Sequence, residues 1–157
     1  MQSLDSESLR EVASAFSTGI TIVCTRDSDN QLLGMTANSF LSVSLDPPLV
    51  LFSVMNENNI LQAMQAGKQV CISILSESQK SISDHFAGQN QKNEILFDDS
   101  VQGDIIKGSL AWYTTSVERI IEAGDHNLIL CRVLDLGKNE GFPLVFYQGY
   151  KSLGTSI

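Results

Sequence analysis

The chain has 157 residues, of which 43% are hydrophobic and 18% are charged, and its formal net charge is −8. This composition excludes a disordered chain, and the length predicts a single domain over residues 1–157. The ten Lys and Arg residues are scattered along the sequence, so nucleic acid and anionic membranes are excluded as main partners, because both require a clustered basic surface.

The first half of the chain predicts one helix, a hairpin and a short strand. Ser6 is the expected N-cap of the helix, and apolar residues recur at helical spacing before Gly19 ends the segment (Leu9, Val12, Ala13 and Phe16). The β-branched residues of 20–25, the turn residues of 27–30 and the pattern of 32–40 predict a hairpin. Residues 46–48 break the chain, because neither proline there can donate to a strand ladder. A buried strand is predicted at 49–54.

The second half predicts two further helices and four strands. Residues 58–66 show apolar side chains at helical spacing, which predicts a helix. Ser76 and Gln79 form a capping box, which predicts the start of a helix that runs to about residue 86. Residues 89–104 are polar and are expected to be irregular. The predicted strands are 70–75, 110–122, 126–136 and 144–147.

The order of these elements indicates the fold class. Alternating strands and helices would favour a parallel, doubly wound sheet, whereas the clustered strands here favour a mainly β, mostly antiparallel barrel with a few appended helices. The chain contains neither G-x-G-x-x-G nor G-x-x-x-x-G-K-[ST], so any nucleotide is bound without these loops. No metal site is expected from two histidines and no suitably spaced carboxylates, and no nucleophile elbow supports hydrolysis.

Residues 34–40 read Gly-Met-Thr-Ala-Asn-Ser-Phe and are the segment most suggestive of a ligand site. Their small side chains allow a flat ligand to approach the backbone. Thr36, Asn38 and Ser39 offer both donors and acceptors for the edge of a polar ring. The residues alone leave a second interpretation open, namely a strand whose polar side chains face water.

The longer segment over 35–50, Met-Thr-Ala-Asn-Ser-Phe-Leu-Ser-Val-Ser-Leu-Asp-Pro-Pro-Leu-Val, closely resembles the signature of the flavin reductase-like family. Members of this family are short-chain reductases that supply reduced flavin to two-component monooxygenases. Further segments occur in the family's order, at 16–23, 74–79, 85–88, 124–126, 132–135 and 143–149. The resemblance therefore covers almost the whole chain.

The resemblance implies a split β-barrel of Greek-key character, a homodimer, and a flavin near the subunit interface. The cofactor-binding residues that it implies are Met35, Thr36, Ala37, Asn38, Ser39, Ser53, Asn56, Asn59, Ser83, Phe86, Tyr147, Gly149 and Tyr150. It places His126 where the nicotinamide arrives, as the catalytic residue. Without the family motif, a histidine that follows Gly-Asp is most often a turn residue.

The implied reaction is hydride transfer from NADH or NADPH to FMN or FAD, in which the cofactors carry the chemistry and the protein orients them. The reduced flavin is then expected to serve a partner oxygenase. Two alternatives remain open: a flavin-binding carrier or interaction protein without reductase turnover, and a same-fold flavoenzyme that acts on another bound substrate. The choices between FMN and FAD, and between NADH and NADPH, also remain open.

The cysteines and the N-terminus indicate the compartment. Cys24, Cys71 and Cys131 each lie in an apolar run without a C-x-x-C motif, which predicts three buried thiols in a reducing environment. No apolar run reaches about 18 residues, the length that a membrane-spanning helix needs. The first residues lack the apolar region of a signal peptide, so we expect a cytoplasmic protein.

Overall fold

The computed structural model describes residues 4–89 and 94–152, with side chains for 4–89 and 94–149. The α-helices are α1 (Ser6–Ala13) and α2 (Lys80–Phe86), and 3₁₀ helices cover Asn59–Ala63 and Glu77–Gln79. The strands are β1 (Thr18–Gly19), β2 (Thr21–Arg26), β3 (Leu32–Ala37), β4 (Leu41–Leu45), β5 (Pro48–Met55), β6 (Gln69–Ile74), β7 (Ala111–Ala123), β8 (His126–Lys138), β9 (Leu144–Phe146) and β10 (Tyr150–Ser152). Within the described ranges, no helix is long and apolar enough to cross a membrane.

Seven strands form one antiparallel sheet in the order β3-β2-β6-β7-β8-β5-β4, while β1, β9 and β10 form a small second sheet. A flat seven-stranded sheet would hold β3 and β4 roughly 29 Å apart, at about 4.8 Å per strand. Residues 38–40 link these two outermost strands, and four Cα steps span at most about 15 Å. The large sheet therefore curls, and the predicted mainly β, antiparallel class with few helices is confirmed.

The hydrophobic core lies on both sides of the curled sheet. Inside the curl, one cluster includes Phe52, Ile72 and Ile129, all fully buried. Outside it, a second cluster packs β2 and β6 against α2, β9 and part of residues 94–106. Because both faces are covered, β2 is buried along most of its length, with Val23 in the inner cluster and Ile22 in the outer one.

The first helix differs from its prediction in three respects. Asp5, and not Ser6, is the N-cap, since its carboxylate accepts a hydrogen bond from the Ser8 N–H at 2.8 Å. The helix ends at Ala13, so Phe16 lies beyond it and Gly19 belongs to β1. No residue of α1 is buried. Helical spacing predicts that a helix has an apolar face, but it does not specify which surface, if any, covers that face.

Other segments differ in length or type. The predicted strand 32–40 ends at Ala37, and a separate strand, β4, follows. The predicted helix 58–66 is a 3₁₀ helix over Asn59–Ala63. The capping box at 76–79 is confirmed: Gln79 Oε1 accepts a hydrogen bond from the Ser76 N–H at 3.0 Å. Strands β1, β4 and β10, of two, five and three residues, escaped prediction because such short segments carry little periodic signal.

The three cysteines are buried and free, as predicted. Burial raises the pKa of Cys71 to about 11 and that of Cys131 to about 11. Burial also raises the pKa of Cys24, to which the nearby Asp104 carboxylate adds. Because the thiolate is the reactive form, the folded protein holds these cysteines in their unreactive thiol form at neutral pH.

We expect none of the three thiols to react with an aromatic disulfide reagent in the folded protein at pH about 8, a pH well below their raised pKa values. In denaturing urea, all three should react, because the thiol pKa returns to about 8.5 in the unfolded chain. The measurement is the thiolate released over time with and without urea. Rapid release of one equivalent from the folded protein would contradict the described burial.

Candidate functional site

Two adjoining cavities lie where the end of β3 meets β1. The larger, of about 540 Å³, is lined by residues 16–21 and 38–41 and by Ile74. The smaller, of about 220 Å³, is lined by Ile20, Thr36, Asn38, Ala87 and Phe146. Because Ile20 and Asn38 line both, we treat them as one site, called the β1–β3 cavity. Its volume lies in the range of small-molecule sites, about 300–1,000 Å³.

Strand β1 forms one wall of this cavity, and each of its two residues has a feature that suits a ligand site. Thr18 is the register partner of Phe146 on β9, and its hydroxyl is buried without a hydrogen-bond partner among the described residues. A Cβ placed on Gly19 would meet no atom within 4 Å. A buried hydroxyl without a partner is costly. Because Thr18 and Gly19 both line the larger cavity, a ligand there would have a hydroxyl to satisfy and open space beside it.

Strand β3 supplies the opposite wall, because its side chains point alternately into the inner core and away from it. Met35 and Ala37 point into the inner core, where they are 6% and 7% exposed. Thr36 therefore faces outward, and its hydroxyl donates to the Ser83 carbonyl of α2 at 2.6 Å. Beyond the strand, Asn38 is exposed and lines both parts of the β1–β3 cavity. Asn38 is thus an exposed polar side chain that reaches both parts of the cavity.

Ser39 and Ser53 are joined to each other. The Ser39 hydroxyl accepts a hydrogen bond from the Ser53 N–H at 3.0 Å, which fixes the link between β3 and β4 against β5. Ser39 itself lines the larger part of the cavity. Ser39 therefore lies at the site, as the family resemblance implies, and also holds β5 through its hydrogen bond to Ser53.

Helix α2 is held against β3 by close packing. A Cβ on Gly34 would overlap the ring of Phe86, so a glycine is needed there for the ring to lie on the strand. Ser83 is fully buried. The next residue after α2, Ala87, lines the smaller part of the cavity. The predicted residues Ser83 and Phe86 thus hold in place the part of the cavity wall that Thr36 and Ala87 line.

His126 lies at the tip of the β7–β8 hairpin. Its Nδ1 is 2.7 Å from the Asp125 carboxylate, and this hydrogen bond lowers the pKa of Asp125. Asn56 contacts the same tip: its N–H donates to the Asp125 carbonyl at 2.9 Å. His126 is the register partner of Met55, two residues from Ser53. Strand geometry therefore puts His126 roughly 12 Å from Ser39, two strand spacings across and two residues along.

The remaining predicted residues lie in two other places. Asn59 lines a separate cavity of about 460 Å³ with Asp27, Ser28 and Lys68, among others, at the end of β2 opposite Thr21. Tyr147 and Gly149 form a tight turn after β9, in which the Tyr147 N–H donates to the Gly149 carbonyl at 2.9 Å. This turn continues the strand that pairs with Thr18. The side chain of Tyr150 lies outside the described residues.

The structure also places Thr18, Gly19 and Ile20 in the site, which residue chemistry alone did not indicate. The only sequence signal was their position in the segment 16–23 that resembles the family's opening strand. In the described parts of the chain, no group of three or more His, Cys, Asp or Glu residues is arranged to hold a metal ion.

Comparison with known proteins gives a consistent result. The flavin reductase like domain family matches residues 13–154. The NADH-dependent flavin reductase of Rhodococcus sp is 38% identical over 92% of this chain and 85% of its own length. The reductase component of 4-hydroxyphenylacetate 3-monooxygenase from Thermus thermophilus is 34% identical over 94% of this chain and 96% of its own.

This chain is also similar to one solved structure and to one longer protein. The native-state structure of the flavin reductase PheA2 superposes with a TM-score of 0.89 at 36% identity, covering 97% of this chain and 100% of that one. The probable flavin reductase of Rhizobium meliloti is 39% identical over 82% of this chain, which spans only 42% of that protein's length.

Proposed function

This chain belongs to the flavin reductase-like domain family, and from that membership we propose that it transfers a hydride from reduced nicotinamide to a flavin bound in the β1–β3 cavity. The observation that carries the location is the unsatisfied Thr18 hydroxyl beside the open Gly19 and the exposed Asn38 amide. We propose NADH as the donor, because a relative of similar length is named an NADH-dependent flavin reductase.

The residues of the cavity fit a flavin ring. Thr18 and Asn38 supply a hydroxyl and an amide for the polar edge of the ring. Ile20, Ile74 and Phe146 supply apolar surface for its faces. The net charge of −8 provides little attraction for a phosphate, so we expect the ring to contribute most of the binding free energy.

When bound, the flavin supplies the hydride-accepting ring chemistry. The protein's part is to bind and orient. Asn38 and Thr18 would hold the polar edge of the ring, and the apolar wall excludes water from one face. His126 is proposed to contact the nicotinamide carboxamide, since an imidazole can hydrogen-bond or stack without becoming covalently involved.

The function is tested by measuring the loss of reduced nicotinamide absorbance, with NADH or NADPH and with FMN, FAD, riboflavin or no flavin. We expect flavin-dependent oxidation that is faster with NADH. The same series ranks FMN against FAD. Flavin binding without oxidation in any combination would overturn the reductase function and favour a flavin carrier.

We also propose that reduced flavin serves a partner oxygenase. The support is the name of the Thermus relative, a monooxygenase reductase component that matches this chain nearly end to end. The proposal is that reduced flavin itself passes between the two proteins. Addition of an oxygenase that uses free reduced flavin would test this by product formation.

A homodimer is proposed from the outer face of β4, β5 and β8. Ile129 and Cys131 are fully buried in the inner core, so Leu130 points to the opposite face. On that side of the sheet Leu41 and Met55 are 54% and 50% exposed. An antiparallel sheet that is apolar on its outer face is typical of a covered surface, because contiguous exposed apolar patches mark association sites.

Replacing Leu130 by glutamate is expected to convert the dimer to a monomer, because an uncompensated charge would be buried in the interface. The measurement is sedimentation equilibrium of the wild-type and variant proteins. The matched control is Leu96→Glu, since Leu96 is 52% exposed on a different segment. Dimers of unchanged stability in Leu130→Glu would place the interface elsewhere.

A further inference from the structure

The tip of the β7–β8 hairpin is held by a residue that lies 68 to 71 positions away from its partners in the chain. We propose that Asn56 is a positioning residue, which orients His126 toward the nicotinamide and does not contact the flavin phosphate. The inference rests on the proposed function, and it replaces the direct cofactor contact that the family resemblance implied for Asn56.

Asn56 makes three hydrogen bonds to the hairpin. Its N–H donates to the Asp125 carbonyl at 2.9 Å. Its side-chain Nδ2 donates to the Gly124 carbonyl at 3.2 Å, and its Oδ1 accepts from Asn127 Nδ2 at 2.8 Å. Both polar atoms of the side chain therefore engage the turn.

These contacts surround His126 on both sides along the chain. Asp125 precedes it and Asn127 follows it, and Asn56 bonds to each. The Asp125 carboxylate in turn holds the His126 ring through Nδ1 at 2.7 Å. Gly124 has a φ of +65°, a conformation that other residues rarely adopt, so a glycine suits this turn. The Asn56 side chain thus fixes the backbone from which the imidazole projects.

The charges around Asn56 oppose a phosphate. The Asp125 carbonyl accepts the Asn56 N–H, so Asp125 adjoins Asn56, and Glu57 is the next residue in the chain. The pKa of Asp125 is lowered by its hydrogen bond to His126 and, to a smaller extent, by the charge of Arg10 on α1. These two neighbouring acidic residues would repel a phosphate dianion, whereas a side-chain amide that donates to a peptide carbonyl and accepts from a second amide is suited to holding a turn.

The experiment compares Asn56→Ala with the adjacent control Glu57→Ala. Four sets of measurements are made: the Kd values for FMN and riboflavin, the Kd for NAD⁺, the kcat and KM with NADH, and amide hydrogen exchange of residues 123–127. For Asn56→Ala we expect unchanged FMN and riboflavin affinity, faster exchange at the tip, and NAD⁺ binding and kcat/KM weakened about tenfold, as two side-chain hydrogen bonds are lost. Glu57→Ala should leave all four unchanged.

A double-mutant cycle with His126→Ala separates positioning from a general loss of structure. If Asn56 acts through His126, Asn56→Ala should have almost no further effect on kcat/KM once His126 is absent. Additive effects in the cycle would overturn the inference. So would weaker binding of FMN with unchanged binding of riboflavin, because that pattern is the signature of a phosphate contact.

Failure of the proposed function gives a different result. If the wild-type protein neither binds NAD⁺ nor oxidises NADH, the reductase function fails and the inference fails with it. If the wild type is active and Asn56→Ala matches it in NAD⁺ affinity and kcat/KM, the inference alone fails.

Discussion

Replacing Gly19 by tryptophan is expected to raise the Kd for flavin more than about 100-fold, because the indole would fill the larger part of the β1–β3 cavity. A Cβ at Gly19 meets no atom within 4 Å, and the residue lies in regular strand backbone. The fold should therefore tolerate the side chain, with the free energy of unfolding changed by less than about 1 kcal/mol. Fluorescence titration with FMN and urea unfolding measure the two effects.

A graded series makes this test independent of folding. Gly19→Ala should weaken flavin binding only slightly, and Gly19→Leu to an intermediate degree, since the occupied volume increases in that order. Asp29→Trp is the control, because Asp29 is an exposed turn residue at the other end of β2. Flavin binding by Gly19→Trp that matches the wild type would exclude the β1–β3 cavity as the flavin site.

Replacing His126 by alanine is expected to lower kcat/KM for NADH about 100-fold, the scale of loss when a substrate is misplaced by about 1 Å. Flavin affinity should stay unchanged, because His126 lies roughly 12 Å from Ser39 by strand geometry. The measurement is the steady-state rate against NADH at saturating flavin, together with a flavin titration of the same variant.

Two further variants sharpen the role of His126. His126→Gln retains a donor and should recover part of the lost kcat/KM. Asp125→Asn keeps an acceptor for Nδ1 but removes the charge, so we expect an effect smaller than that of His126→Ala. If His126→Ala instead weakened flavin binding and left the NADH dependence unchanged, the imidazole would belong to the flavin site.

Local sequence patterns predicted much of the sheet, because they depend on neighbouring residues. The β-branched run near Val23 and the apolar runs around Ile72 and Ile129 mark strands that the structure confirms. The capping box at Ser76 likewise depends on residues only three apart. The signature over 35–50 pointed to the family for the same reason, since it is a continuous segment.

The alternation of side chains along a strand also predicts which of them face the core. Met35 and Ala37 are core residues, while Thr36 faces outward. A strand that is apolar at every second position predicts this division. The family resemblance assigned all three to the flavin, and only the register with β2 shows which side of β3 faces the β1–β3 cavity.

The amino-acid sequence by itself determined the mainly β class, the buried thiols, the family and the segment at which the flavin was expected. Only the tertiary structure decided that Thr18 lies beside Phe146 and that Asn56 holds the turn before His126. These contacts join residues far apart in the chain. They follow from strand order and register, which the packing of both core clusters sets together, so no local pattern of residues encodes them.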